Sequence, residues 1–151
     1  VFDRRPAAGT RENLARDIAA LRDRVDIVVV SMHWGVEYQT EPTEHSKALG
    51  RFIIDQGADI LAGHHPHVQQ EPEAYHGGLI LYSMGNFVFD QHSRPLTRIS
   101  RVYRVFVDKS GVSGAEYLPC EIPKGLWQPR PTTDAFVPVT DASRMAARAA
   151  D

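Results

Sequence analysis

ADILAGHHPH, residues 58–67, runs a short apolar segment straight into three histidines set around one proline. Upstream, DIVVVSMHWG, residues 26–35, repeats the pattern with a β-branched run that ends at His33. Continuous apolar runs of this length predict strands buried on both faces, the kind found inside α/β sheets. A helix is predicted before each strand. Over residues 11–24, Leu14, Ile18, Leu21 and Val25 recur at helical spacing, Thr10 can cap the start and Glu12 lies in the first turn. Over residues 43–56, Ala48, Leu49, Phe52 and Ile53 share an inner face and Gly57 supplies the stop. Helix, strand, helix, strand is an α/β order.

Beyond His67 the pattern turns to hairpins, so the expected class is α/β in its α+β form. Residues 77–84 and 86–90 read as strands on either side of Gly85. SRVYRVFVD, residues 100–108, alternates apolar and polar, and KSG leads through a tight turn into a partner strand over 111–123. Residues 1–122 form one expected domain. Residues 123–151 form a Pro-rich extension that ends in ASRMAARAAD, a short helix or a frayed tail.

A chain of 151 residues suits a single domain with a real core. A net charge of −2 argues against nucleic acid or an anionic membrane as partner. The lone Cys120 cannot close an internal disulfide and is read as structural. No apolar run approaches the roughly 18 residues of a membrane span, and VFDRRPAAGTREN lacks the apolar core of a signal peptide. A start at Val1, close to a predicted helix, suggests a fragment with more protein upstream.

Ligand sites in open α/β sheets form beyond the carboxyl ends of the strands, where His33 and the 64–67 cluster both fall. If the segment after Gly63 is extended, His65 and His67 point to one side and His64 to the other. Pro66 should bias His65 towards that extended form. Neutral imidazole is the commonest metal ligand, and three can hold zinc with one position left for water. His33, His65 and His67 are therefore candidate ligands. Glu37 is a candidate general base or supporting carboxylate, or simply a solvated loop charge. Trp34 and Tyr38 could line a pocket or serve the core. A single loop histidine is ordinarily solvated, and His45, His76 and His92 are read that way. Arg94, Arg98, Arg101 and Arg104 lack interleaved aromatics and read as a solvated strand face or loop. YSMGN lacks the first glycine of a nucleophile elbow, and no phosphate-binding loop is present.

HWGVEY, residues 33–38, and GADILAGHHPHVQQEPEAYHGGLILYSMGNFVFDQ, residues 57–91, resemble the CapA-type poly-gamma-glutamate capsule biosynthesis proteins. Those are similar to the calcineurin-like metallophosphoesterase superfamily. The resemblance covers roughly residues 26–110. It implies a two-sheet β-sandwich flanked by helices, of which this chain is the C-terminal half. It also implies a site where divalent metal ions (zinc, manganese or iron, two in the full domain) activate water against a phosphoester. His33 resembles the single-histidine motif, and His65 and His67 resemble the closing H-x-H pair. GHHPH has one residue more than that pattern, so His64 is an alternative ligand. Otherwise His64, with Glu37, is a group that supports the ligands or transfers protons. The D-x-H, G-D and G-N-H motifs are expected upstream of residue 1. The GNF of residues 85–87 is no substitute for the last of them, and Asn86 is read as a turn residue or a substrate-facing amide.

Two functions follow from the resemblance. The first is a metal-dependent hydrolase-type domain in capsule or cell-envelope polymer biosynthesis, acting on an anionic polymer or phosphoester, alongside other capsule-synthesis proteins. The matched motifs supply no bridging carboxylate, so this chain alone should be a poor catalyst. The alternative is a non-catalytic envelope module that binds or guides an anionic polymer. A zinc amidohydrolase barrel would instead need further strand–helix units after residue 70. Half of a sandwich should also expose strand edges and be prone to aggregate.

Overall fold

The structure is a computed structural model and describes residues 10–139. The sequence-predicted tail over 142–151 lies outside the described residues. The elements are α1 (Arg11–Arg22), β1 (Val29–His33), α2 (Glu44–Asp55), β2 (Ile60–His64), β3 (Gln69–Gln70), β4 (Glu73–Tyr75), β5 (Gly78–Leu81) and β6 (Ser83–Met84). A short 3₁₀ turn, Pro95–Arg98, then leads into β7 (Ile99–Asp108), β8 (Gly111–Glu121), β9 (Arg130–Pro131) and β10 (Val137–Pro138). Thr10 and Thr43 cap the two α-helices: their hydroxyls accept from the amides of Asn13 and Ser46 at 3.2 and 3.1 Å. Each contact satisfies a first-turn N–H that has no partner within its helix.

The main sheet has the order β1-β2-β5-β4, with β1, β2 and β5 parallel and β4 antiparallel. Strand alternation sends its side chains to two different layers. Leu61, Ile80 and Tyr82 pack with Leu14, Ile18, Leu49, Ile53 and Ile54 of the helices. Ile60, Leu79 and Leu81 face the other way, against Val112, Ala115, Tyr103 and Val105 of the second sheet. That sheet has the order β10-β8-β7, with β9 also paired to β8. Helices, main sheet and hairpin sheet thus form three layers of an α+β fold with two packed sheets and no closed barrel. The extension contributes to the second sheet through β9 and β10, and Val139 is buried there. Asp59 ties α1 to both first strands. Buried to 3% exposure, it accepts from the Val28 amide at 2.7 Å and from Arg22 at 2.6 Å.

Three strand expectations are corrected. Among the described residues β1 pairs only with β2, so it is half-exposed, with Val29 at 57% exposure, rather than buried on both faces. Residues 77–84 do not form one strand. The Trp34 indole donates to the Tyr82 carbonyl at 2.8 Å, the chain breaks there, and β6 turns away to pair with β3. Residues 86–90 form no strand at all. The Asn86 carbonyl accepts from the Ser100 hydroxyl and the Phe89 amide donates to the Trp127 carbonyl, which leaves no ladder.

Candidate metal centre

β1 and β2 run in parallel register, with His33 opposite His64 at their carboxyl ends. The Trp34 amide extends the ladder by donating to the His64 carbonyl at 3.0 Å. Gly63 makes this close passage possible. A Cβ there would lie 2.2 Å from the Tyr82 carbonyl oxygen and 2.7 Å from the Trp34 indole nitrogen. Only a residue without a side chain fits.

The next turn corrects the extended geometry expected of residues 65–67. His65 has φ +111° and His67 has φ +62°, on either side of Pro66. Positive φ in non-glycine residues costs on the order of 1–3 kcal/mol each and concentrates at functional sites. Tyr38 is also left-handed, at φ +65°, and its amide donates to the Pro66 carbonyl at 2.8 Å. This bond joins the loop after β1 to the histidine turn and brings Glu37 beside it.

Glu37, His65 and His67 each offer one ligand atom, and the three atoms lie within 4.8 Å of one another. The His67 Nε2 is 3.8 Å from Glu37 Oε1. Two imidazole nitrogens and a carboxylate oxygen suit zinc, manganese or iron. Tetrahedral ligands at about 2.1 Å stand roughly 3.4 Å apart, so small side-chain rotations close the set. Glu37, read from the sequence as a base or supporting carboxylate, thus stands with the potential ligands.

His33 lies outside this trio and borders it: its ring centroid is 4.5 Å from that of His65. His64 packs edge-on against His33 at 5.3 Å, and burial, then the neighbouring His33, lowers its pKa. His65 and His67 are 6.2 Å apart between centroids, so the four imidazoles form one chain of contacts. Tyr38 stacks on His67 at 6.2 Å and Phe89 leans on it at 5.3 Å, giving the site an aromatic wall. Arg94 lies over the outer part of that wall, 4.1 Å from the Tyr38 ring centroid. Trp34 instead stacks on Tyr82 at 6.0 Å and belongs to the core.

Asn86, given no ligand role from the sequence, contacts the site directly: its Oδ1 is 2.8 Å from His67 Nδ1. The sequence signals were its place just after a strand and the GNF triplet, which matches G-N-H in its first two residues. The remaining histidines divide. His45 is exposed and His76 pairs with Asp55 at 2.9 Å. His92 is not the solvated residue expected, because both its ring nitrogens are buried without a hydrogen-bond partner. Arg98, Arg101 and Arg104 pair with Glu121, Glu71 and Glu116, and Arg104 is exposed on the strand face as expected. Cys120 is buried, and burial raises its thiol pKa.

Comparison with known proteins agrees with the resemblance. The chain is 39% identical over 127 residues to the "Capsule biosynthesis protein CapA" of Bacillus anthracis, covering 82% of this chain and 30% of that protein. It is 44% identical over 105 residues to the "PGA biosynthesis protein CapA" of Bacillus subtilis, covering 70% of this chain and 27% of that one. The chain therefore spans under a third of the length of these relatives. The model of the family described as "Bacterial capsule synthesis protein PGA_cap" matches residues 3–91, more than half the sequence, and the chain belongs to that family.

Proposed function

We propose that this chain is part of a metal-dependent hydrolase domain serving capsule polymer biosynthesis at the cell envelope, with poly-gamma-glutamate or a phosphoester precursor as substrate. The supporting observation is the convergence of Glu37, His65 and His67 on one point at the carboxyl edge of a parallel sheet. These three would hold a divalent ion. Such an ion supplies Lewis acidity and makes water nucleophilic at neutral pH. The chain's own groups do the rest. His64, whose pKa burial lowers, stands against His33 as the candidate proton-transfer group. Tyr38 and Phe89 pack against the His67 ring. The polymer role rests on the names of the two Bacillus relatives and on the family.

Calorimetric titration with zinc and with manganese tests the reading. Stoichiometric binding is expected, with loss in His65→Ala and His67→Ala and weakening by tenfold or more in Glu37→Gln. The absence of binding by the parent protein would end the hydrolase reading. Retention of poly-gamma-glutamate by that metal-free protein would support the non-catalytic module instead.

A further inference from the structure

We infer that Asn86 is a positioning residue that selects the tautomer of His67. Asn86 is the centre of GNF, residues 85–87, a motif that the proposed chemistry does not use. The residue is 5% exposed. Its Nδ2 donates to the Thr97 carbonyl at 3.1 Å and to Gln91 Oε1 at 3.3 Å, and its Oδ1 lies 2.8 Å from His67 Nδ1. A main-chain carbonyl can only accept, so the amide nitrogen has to face Thr97 and the amide oxygen has to face His67. The hydrogen of His67 must then sit on Nδ1, which leaves the lone pair on Nε2. Nε2 is the atom that faces Glu37. A metal-ligating histidine needs that nitrogen unprotonated, and the hydrogen bond on its other nitrogen sets which one is free.

The amide is itself held in place. Gly85 turns the chain at φ +68°, and the Ser100 hydroxyl donates to the Asn86 carbonyl at 2.6 Å. The Thr97 hydroxyl donates to the Gln91 carbonyl at 2.8 Å, and Gln91 Nε2 donates to the Tyr38 hydroxyl at 2.8 Å. Tyr38 then packs on the face of His67. The network grips His67 at one ring nitrogen and on one face, through side chains from residues 86–100 and from Tyr38, far off in sequence. The inference concerns the same site as the proposed function and rests on it for the purpose of the tautomer, but not for its existence.

Long-range ¹⁵N–¹H NMR of ¹⁵N-histidine-labelled protein, without metal, reads the tautomer directly, and zinc calorimetry reads its consequence. The parent should show His67 with its hydrogen on Nδ1. Asn86→Leu should give a mixture of tautomers and weaken zinc binding by about tenfold to a hundredfold. Asn86→Asp, which keeps the acceptor but loses the donor to Thr97, should still hold the hydrogen on Nδ1, and if the leucine variant does not fold the tautomer of the parent carries the test. A parent His67 protonated on Nε2, or an Asn86→Leu protein that binds zinc as tightly as the parent, would overturn the inference. A parent with the Nδ1–H tautomer but no zinc affinity would uphold the tautomer selection and sink the metal site.

Discussion

Among the described glycines, Gly63 sets the tightest steric condition. A methyl group there would meet main-chain oxygens of Leu81 and Tyr82 at 2.7 and 2.2 Å, and neither can rotate away. Gly63→Ala should cost about 3 kcal/mol or more, the upper end for overpacking, because backbone has to move. Urea denaturation would measure it, and Trp34 fluorescence should shift as its bond to Tyr82 is displaced. Tyr82 makes a second prediction. Burial, then a hydrogen bond to Glu73 at 2.5 Å, pushes its phenol pKa well above the ordinary value. A group whose pKa is raised by folding contributes stability that is whole below its unfolded value, about 10, and that is lost as pH climbs above it. Stability should therefore fall on the alkaline side of about pH 10. Tyr82→Phe should flatten that fall while lowering stability near neutrality by about 1.5 kcal/mol through the lost bond to a carboxylate. Urea midpoints across the alkaline range decide it; an unchanged slope would discount Tyr82.

Among the elements, the junction of α1 with β1 and β2 hangs on Asp59. Removing the carboxylate in Asp59→Ala strips the Val28 amide and Arg22 of a buried acceptor. The loss of one member of a buried pair costs about 3–5 kcal/mol. Arg22 is about one-third exposed and water recovers part of this, so about 2–3 kcal/mol is expected from chemical denaturation. Elements of this kind were legible wherever the chemistry is local: the Thr10 cap, helical spacing, the KSG turn, and an apolar run ending in glycine. Residues 86–90 have the composition of a strand, yet strand identity needs a ladder partner, and their backbone groups bond to Ser100 and Trp127 instead. Exposure of β1 was hidden for the same reason, since a β-branched run reads alike at the edge or the centre of a sheet. The site was legible as a set of histidines at strand ends. Its geometry was not, because left-handed backbone at residues 38, 65 and 67 defeats period-two reasoning. The proximity of Glu37 to His67, and the bond from His67 to Asn86, arise from contacts across the sequence.

Across the whole molecule, β1 and β7 are open edges among the described residues. Val29 on the first, and Val102 and Phe106 on the second, are exposed. Long apolar edges invite pairing with another chain. The isolated chain should therefore self-associate in a concentration-dependent way by light scattering. Val29→Lys combined with Val102→Lys should reduce this without shifting the melting temperature by more than a few degrees. The pairing of β1 with β2 has a further consequence, in time. A parallel ladder closes only after its crossover has been traversed, here all of α2, whereas β7 and β8 meet through a two-residue turn. Local contacts form sooner because less chain entropy is lost in closing them. Refolding should accordingly restore the environment of Tyr103 and Tyr117 in the hairpin first. In a Trp127→Phe background, Trp34 emission should recover last, as His33 and His64 come abreast.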